Sequence, residues 1–221
     1  MIMTAIITVI AAYLIGSVSF AVIFSAVFIK KDVRNLGSGN AGTTNMMRVA
    51  GFLPGALTFI CDALKGFVAC YIGKLIFEYA YAQTESIWLH SSVGVYLCGL
   101  ACMLGHMYPI FFGFKGGKGV LVGVASFLPI DPRVFFALLI VFIVIFAITK
   151  YVSISSILGA ALSPIAICLM SIMVDGEKFG RSLLYLLLCL PMAAMVVYMH
   201  RSNMERLMNG TESKFTFKFN K

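Results

Sequence analysis

Three features of the sequence predict an all-α integral membrane protein of about seven transmembrane helices, amino terminus outside and carboxyl terminus cytoplasmic. The first is composition: 61% of the 221 residues are hydrophobic and only 12% charged, with a mean hydropathy of +0.98, beyond what a soluble domain tolerates. The second is that the apolar residues come in helix-length blocks rather than the alternating segments of about ten residues that build a β-barrel. The third is the placement of the cations. Residues 1–221 are expected to form a single polytopic domain.

The first block, 1–29, begins without Lys or Arg and is too long for a signal peptide, so it reads as the first span. Further blocks follow at 52–77, 87–106, 120–128, 135–149, 154–174 and 183–199. Block 120–128, which ends before Pro129-Ile130-Asp131-Pro132, falls short of the roughly 20 residues of a full span and reads as a tilted or sheltered half-length helix. Counting it as a crossing puts Lys30, Lys31, Arg34, Arg48, Lys115, Lys118, Lys150, Arg201, Arg206, Lys214, Lys218 and Lys221 on the cytoplasmic side. Arg133, Lys178 and Arg181 fall on the other, as the positive-inside rule requires. The net charge of +8 therefore points to anionic lipid as the partner surface rather than to nucleic acid.

The same topology gathers four polar segments on the cytoplasmic face: residues 37–48, 105–119, 150–156 and 200–212. The first reads Gly37-Ser38-Gly39-Asn40-Ala41-Gly42-Thr43-Thr44-Asn45 and closes with Arg48. Its glycines permit a tight, anion-cradling backbone, its small polar side chains add donors, and Arg48 adds a fixed guanidinium fork. The second carries Gly116-Gly117-Lys118-Gly119 after an aromatic interfacial stretch, and Lys118 can place a point charge on a phosphate. In the fourth, His200 and Asn203 share a helix face at i, i+3, where His200 can meet a phosphate or orient a hydroxyl and Asn203 can hold an oxygen. Asp62 and Lys65, also at i, i+3, should pair inside the bundle, either as structure or as a wall of the site.

Residues 37–42 satisfy G-x-G-x-x-G, yet they follow a membrane helix instead of a β-strand, and Gly117-Lys118 lacks the rest of a P-loop, with Phe112 and Gly119 at the decisive positions. No nucleotide site is supported. His90, His106 and His200 fall in different segments and no Cys pair has zinc-ligand spacing, so neither a metal nor a cofactor is expected. Cys61, Cys70, Cys98, Cys102, Cys168 and Cys189 lie in apolar spans, where thiols pack as small hydrophobes.

With those residues in view, the chain resembles the bacterial membrane-bound acyl-phosphate:glycerol-3-phosphate acyltransferase family, PlsY, over nearly its whole length. The resemblance rests on Gly37-Ser38-Gly39-Asn40, Gly42, Thr44-Asn45 and Arg48; on Gly105-His106, Tyr108-Pro109 and residues 114–120; and on His200, Asn203, Arg206-Leu207 and Glu212, with Asp62, Lys65 and Gly66 fitting as well. Ser19, Thr43 and Leu121 depart from the family pattern without removing a polar group. The resemblance implies transfer of a fatty acyl group from acyl phosphate to the 1-hydroxyl of glycerol 3-phosphate in the bacterial inner membrane, yielding lysophosphatidic acid and phosphate. It also implies functional coupling to an acyl-phosphate-producing enzyme.

Carried over by position, Ser38, Arg48, Lys118, His200 and Asn203 would hold glycerol 3-phosphate. Gly39, Asn40, Thr44, Gly116, Gly117 and Ser153 would cradle the acyl phosphate, with Gly42 and Asn45 completing the substrate-binding set and Lys118, Ser38, His200 and Asn203 the catalytic one. Backbone donors around Gly39 and Gly117 are expected to act as an oxyanion hole. The H-x-x-x-x-D pair of thioester-dependent acyltransferases is absent, since Phe111 follows His106 and Val95 follows His90 at that spacing; His200 with Glu205 comes nearest, on a solvated helix. The base that takes the hydroxyl proton stays open between His200 and a substrate phosphate. A transporter or exchanger of organic phosphates is the alternative, although no duplicated half supports it.

Overall fold

The computed structural model describes residues 1–215; Lys218 and Lys221, expected among the cytoplasmic cations, lie outside the described residues. Among the described residues the regular structure is all helical, and six stretches are long and apolar enough to cross a bilayer: Ile2–Ile29, Phe52–Thr84, Ser91–Phe112, Pro132–Thr149, Val152–Met173 and Phe179–Met199. The protein is an all-α integral membrane protein, as its composition requires. Where the sequence suggests one domain, the helices group into two compact units, Met1–Pro132 and Arg133 onward.

The first unit holds α1 (Ile2–Gly16), α2 (Phe20–Ile29), α3 (Thr43–Ala50), α4 (Phe52–Thr84), α5 (Ser91–Met107) and α6 (Val120–Ile130). The expected first span is broken between α1 and α2, at Ser17-Val18-Ser19. A break inside lipid frees carbonyls that water cannot reach. Lys65 of α4 supplies the missing donors, its Nζ meeting Gly16 O at 3.1 Å and Val18 O at 2.8 Å. The expected Asp62–Lys65 pair is present at 2.8 Å and buried. α4, with 33 residues, is about 50 Å long, which exceeds a hydrocarbon core of about 30 Å. It runs past the expected end at 77 because no helix breaker intervenes before Glu85, whose left-handed φ of 53° ends it.

α1 packs on α5 at backbone contact distance. A Cβ on Gly105 would stand 2.1 Å from Tyr13 O, and one on Gly16 would stand 2.0 Å from Cys102 O. Small residues at such crossings let membrane helices approach closely. α6 has 11 residues, about 16 Å, so it is the expected half-length helix. Val122 and Ser126 are fully buried in it, and it seats against Gly66 of α4, where a Cβ would meet Val122 O at 2.6 Å.

The second unit contains α7 (Pro132–Thr149), α8 (Val152–Met173), α9 (Phe179–Met199) and α10 (Arg201–Met208). α8 and α9 form a hairpin joined across by Ser171 Oγ and Ser182 Oγ at 2.8 Å and by Ser163 Oγ and Cys189 Sγ at 3.5 Å. Such interhelical hydrogen bonds substitute for the hydrophobic drive that lipid removes.

Candidate active site

In the first unit the loop between α2 and α3 is built by Asp32, Arg34 and Asn45. Asp32 caps a single 3₁₀ turn, Val33–Asn35, by accepting from Arg34 N at 2.9 Å. The Arg34 side chain then returns to the same carboxylate through Nε and Nη2, the latter at 2.7 Å. Those hydrogen bonds hold the Asp32 carboxyl below the usual carboxylate range. Nη1 of Arg34 donates to the carbonyls of Phe112 and Lys115. One guanidinium thus clips the first glycine-rich loop to the second.

Asn45, in the first turn of α3, is 1% exposed. Its Nδ2 donates to the carbonyls of Val33, Leu36 and Asn40 at 3.0–3.2 Å, and its Oδ1 accepts from Ser38 N at 3.0 Å. Expected among the substrate-touching residues, Asn45 is instead the internal strut of the loop, because its amide is committed on both sides. Its hold leaves Ser38, Gly39 and Arg48 exposed, with Asn40, Gly42 and Thr44 half-buried.

The second loop folds back on the end of α5. Gly116 N donates to Met107 O and Gly117 N to His106 O, each at 3.1 Å. Gly117 is wedged between the two polar segments: a Cβ there would stand 2.1 Å from His106 Nε2 and 2.8 Å from Ala41 O. No side chain fits. Lys118, half-buried, follows directly and leads into Gly119, whose φ of +76° opens α6.

Of the backbone donors expected around Gly39 and Gly117 to act as an oxyanion hole, several already have acceptors within the protein. Ser38 N is bonded to Asn45, Gly39 N to Leu36 O, Gly42 N to Asn40 O, and Gly116 and Gly117 N to the α5 end. Gly39 serves a left-handed turn, with φ of 73°, and Gly116 and Gly117 serve close backbone approach. Further backbone donors lie at the amino ends of α3 and α6, whose first-turn amides have no intrahelical acceptor and carry the positive end of the helix dipole. Both helices start at these loops.

The second unit collects the remaining candidates. His200 sits at the junction of α9 and α10, 3% exposed. Its Nδ1 lies 2.8 Å from Val196 O; a carbonyl only accepts, so Nδ1 donates and the tautomer is set. Asn203, also buried, donates from Nδ2 to Glu212 Oε1 at 2.6 Å, while Arg206 Nε donates to Oε2 at 2.7 Å. Burial pushes the Glu212 carboxyl up, but the hydrogen bonds, Asn203 foremost, hold it below its ordinary value. Ser153 is buried in the first turn of α8, its hydroxyl enclosed without a hydrogen-bond partner. Glu212 ties Asn203 to Arg206. Glu205 is exposed, as its solvated helix face leads one to expect.

A family model described as glycerol-3-phosphate acyltransferase matches residues 6–210. The chain belongs to the glycerol-3-phosphate acyltransferase family. A glycerol-3-phosphate acyltransferase of Syntrophomonas wolfei is 38% identical over 93% of this chain and 94% of its own length. One from Clostridioides difficile is 38% identical over 95% and 94%. A crystal structure of PlsY, an integral membrane glycerol 3-phosphate acyltransferase in its glycerol 3-phosphate form, superposes with a TM-score of 0.75 at 33% identity, covering 96% of both chains. The lysophosphatidic acid form of PlsY gives 0.72 at 32% identity. The family resemblance expected from the three polar motifs is thus shown, and with it the integral-membrane class.

Arg34 and His106 were not among the site candidates in the sequence. Arg34 reads there as one cation of several, and its partners Phe112 and Lys115 lie some 80 positions away in separations of 78 and 81. His106 was legible only as part of a motif, with no sign of what its ring touches.

Proposed function

We propose that this acyltransferase moves a fatty acyl group from acyl phosphate to the 1-hydroxyl of glycerol 3-phosphate, producing lysophosphatidic acid and inorganic phosphate, the first acylation of phospholipid synthesis. The observation that carries this reading is the junction of two phosphate-suited loops at Gly117, beside Lys118 and the amino ends of α3 and α6. The hydroxyl oxygen attacks the acyl carbon, the bond to the phosphate oxygen breaks, and the departing phosphate takes the proton. A mixed anhydride is already activated, so the reaction calls on no enzyme-bound acyl intermediate or cofactor.

What the protein must supply is positioning of two anions that repel each other, together with charge stabilisation as the phosphate leaves. In the first unit, Ser38 and Arg48 are assigned to glycerol 3-phosphate; Gly39, Asn40, Gly42, Thr44, Gly116 and Gly117 shape the acyl-phosphate cradle. Lys118 offsets the repulsion between the two phosphates. In the second unit, His200 and Asn203 are assigned to glycerol 3-phosphate and Ser153 to the acyl phosphate. The positive-inside distribution supports loops that face the cytoplasm from a bacterial inner membrane, with an acyl-phosphate-producing enzyme as functional partner.

The test is direct. Purified protein in lipid, given acyl phosphate and labelled glycerol 3-phosphate without ATP, metal or coenzyme A, should form labelled lysophosphatidic acid. Lys118→Ala should lower kcat/KM by about 100-fold or more, the scale of losing one preorganised charge-stabilising donor. Folded wild type that makes no product, yet carries labelled glycerol 3-phosphate into vesicles, would replace this reading with transport.

A further inference from the structure

Asp62, Lys65 and His106 are buried ionisable side chains of the first unit, at 2%, 5% and 7% exposure, and none belongs to the substrate set assigned above. Lys65 has a structural occupation, closing the α1–α2 break while it pairs with Asp62 Oδ1 at 2.8 Å. His106 carries an anomaly. His106 Nδ1, fully enclosed and without a hydrogen-bond partner, faces Asp62 Oδ1, the oxygen that Lys65 Nζ meets, at 3.7 Å.

Buried polar atoms are seldom left in this state. Donation of an Nδ1–H to Asp62 satisfies the ring nitrogen, gives the carboxylate a second donor beside Lys65, and needs a shift of less than about 1 Å. The opposite edge of the ring bears on the phosphate loop, where Nε2 lies against Gly117 at a distance that excludes any side chain. The backbone of His106 holds the same glycine, through Gly117 N to His106 O at 3.1 Å. The ring thus stands between Asp62 and Gly117, at the contact of Gly117 with Ala41 that joins the two glycine-rich loops.

We propose that Asp62, anchored by Lys65, positions the His106 ring, and that His106 sets the Gly116–Gly117 backbone against Ala41 and so governs how tightly this loop holds the acyl-phosphate group. These are positioning residues, since none of their atoms lies on the reacting bond. The substrate named here rests on the acyltransferase reading; the mechanical link to the loop rests on the geometry alone.

Two readouts keep these apart. In His106→Ala, which leaves the Asp62–Lys65 pair intact, and in Asp62→Asn, the KM for acyl phosphate should rise about tenfold while that for glycerol 3-phosphate stays within about twofold. His106→Asn, which returns a donor near the Nδ1 position, should recover part of the loss. Hydrogen exchange should show the amides of Gly116 and Gly117 opening about tenfold faster in both variants, with α8 and α9 unchanged. Unaltered loop exchange, equal rises in both KM values, or faster exchange spread over the whole first unit would overturn the proposal. If wild type forms no lysophosphatidic acid, the acyltransferase reading falls, and loop exchange still decides the positioning role.

Discussion

Asn45, Arg34 and Glu212 each take a task that neighbouring residues in the chain do not announce. The carboxamide of Asn45 bonds three carbonyls and one amide of the preceding loop; a polar residue among glycines is legible, but its burial is not. Arg34 depends on its fork geometry, since one edge grips Asp32 while Nη1 reaches the second loop. Lysine lacks the second arm. Arg34→Lys should therefore lower kcat/KM by about tenfold, the worth of a charge-assisted hydrogen bond, with little change in melting temperature; a loss confined to stability would contradict the clip. Glu212 yields a pH prediction. Its folded pKa lies below the ordinary carboxylate value, so its contribution is complete above the unfolded pKa and disappears as pH falls through the lower folded one. The melting temperature of wild type minus that of Glu212→Gln should accordingly be largest near neutrality and shrink from about pH 5 towards about pH 3.

At the scale of elements, apolar runs predict helices well and their interruptions poorly. The block 1–29 has no charge and no proline to mark a break, yet α1 ends at Gly16 because a lysine on α4 accommodates the freed carbonyls. That compensation is tertiary. The short block before Pro129 was legible by length alone, and the structure adds what shelters it, the backbone approach at Gly66. Close crossings of this kind are testable at α1 and α5. Gly105→Ala places a methyl 2.1 Å from Tyr13 O, a backbone atom that cannot rotate away. The expected cost is about 1–3 kcal/mol, seen as a lower melting temperature in detergent, whereas Gly159→Ala, with open space at its Cβ position, should be neutral or mildly stabilising.

For the whole molecule, the membrane topology turns on α6. Six stretches have the length of a span and α6 does not, so whether the chain crosses there sets the side on which the second unit begins. Single-cysteine labelling of sealed vesicles distinguishes the alternatives. Lys115→Cys and Lys214→Cys should react only from the cytoplasmic side, and Ser86→Cys and Lys178→Cys only from outside; Lys178→Cys labelled from the cytoplasm would mean that α6 does not cross. The sequence by itself determined the membrane class, the helical architecture and the family, because these follow from composition, block length and motifs of adjacent residues, all local properties of the chain. Tertiary structure alone decided that Arg34 clips one loop to another, that Asn45 is a strut, that Gly116 and Gly117 bond back to the end of α5, and that His106 bears on Gly117. Each of those depends on contacts between positions far apart in sequence, where the hydrogen-bonding capacity of a side chain is known from its type but its partner is chosen only by how the helices pack.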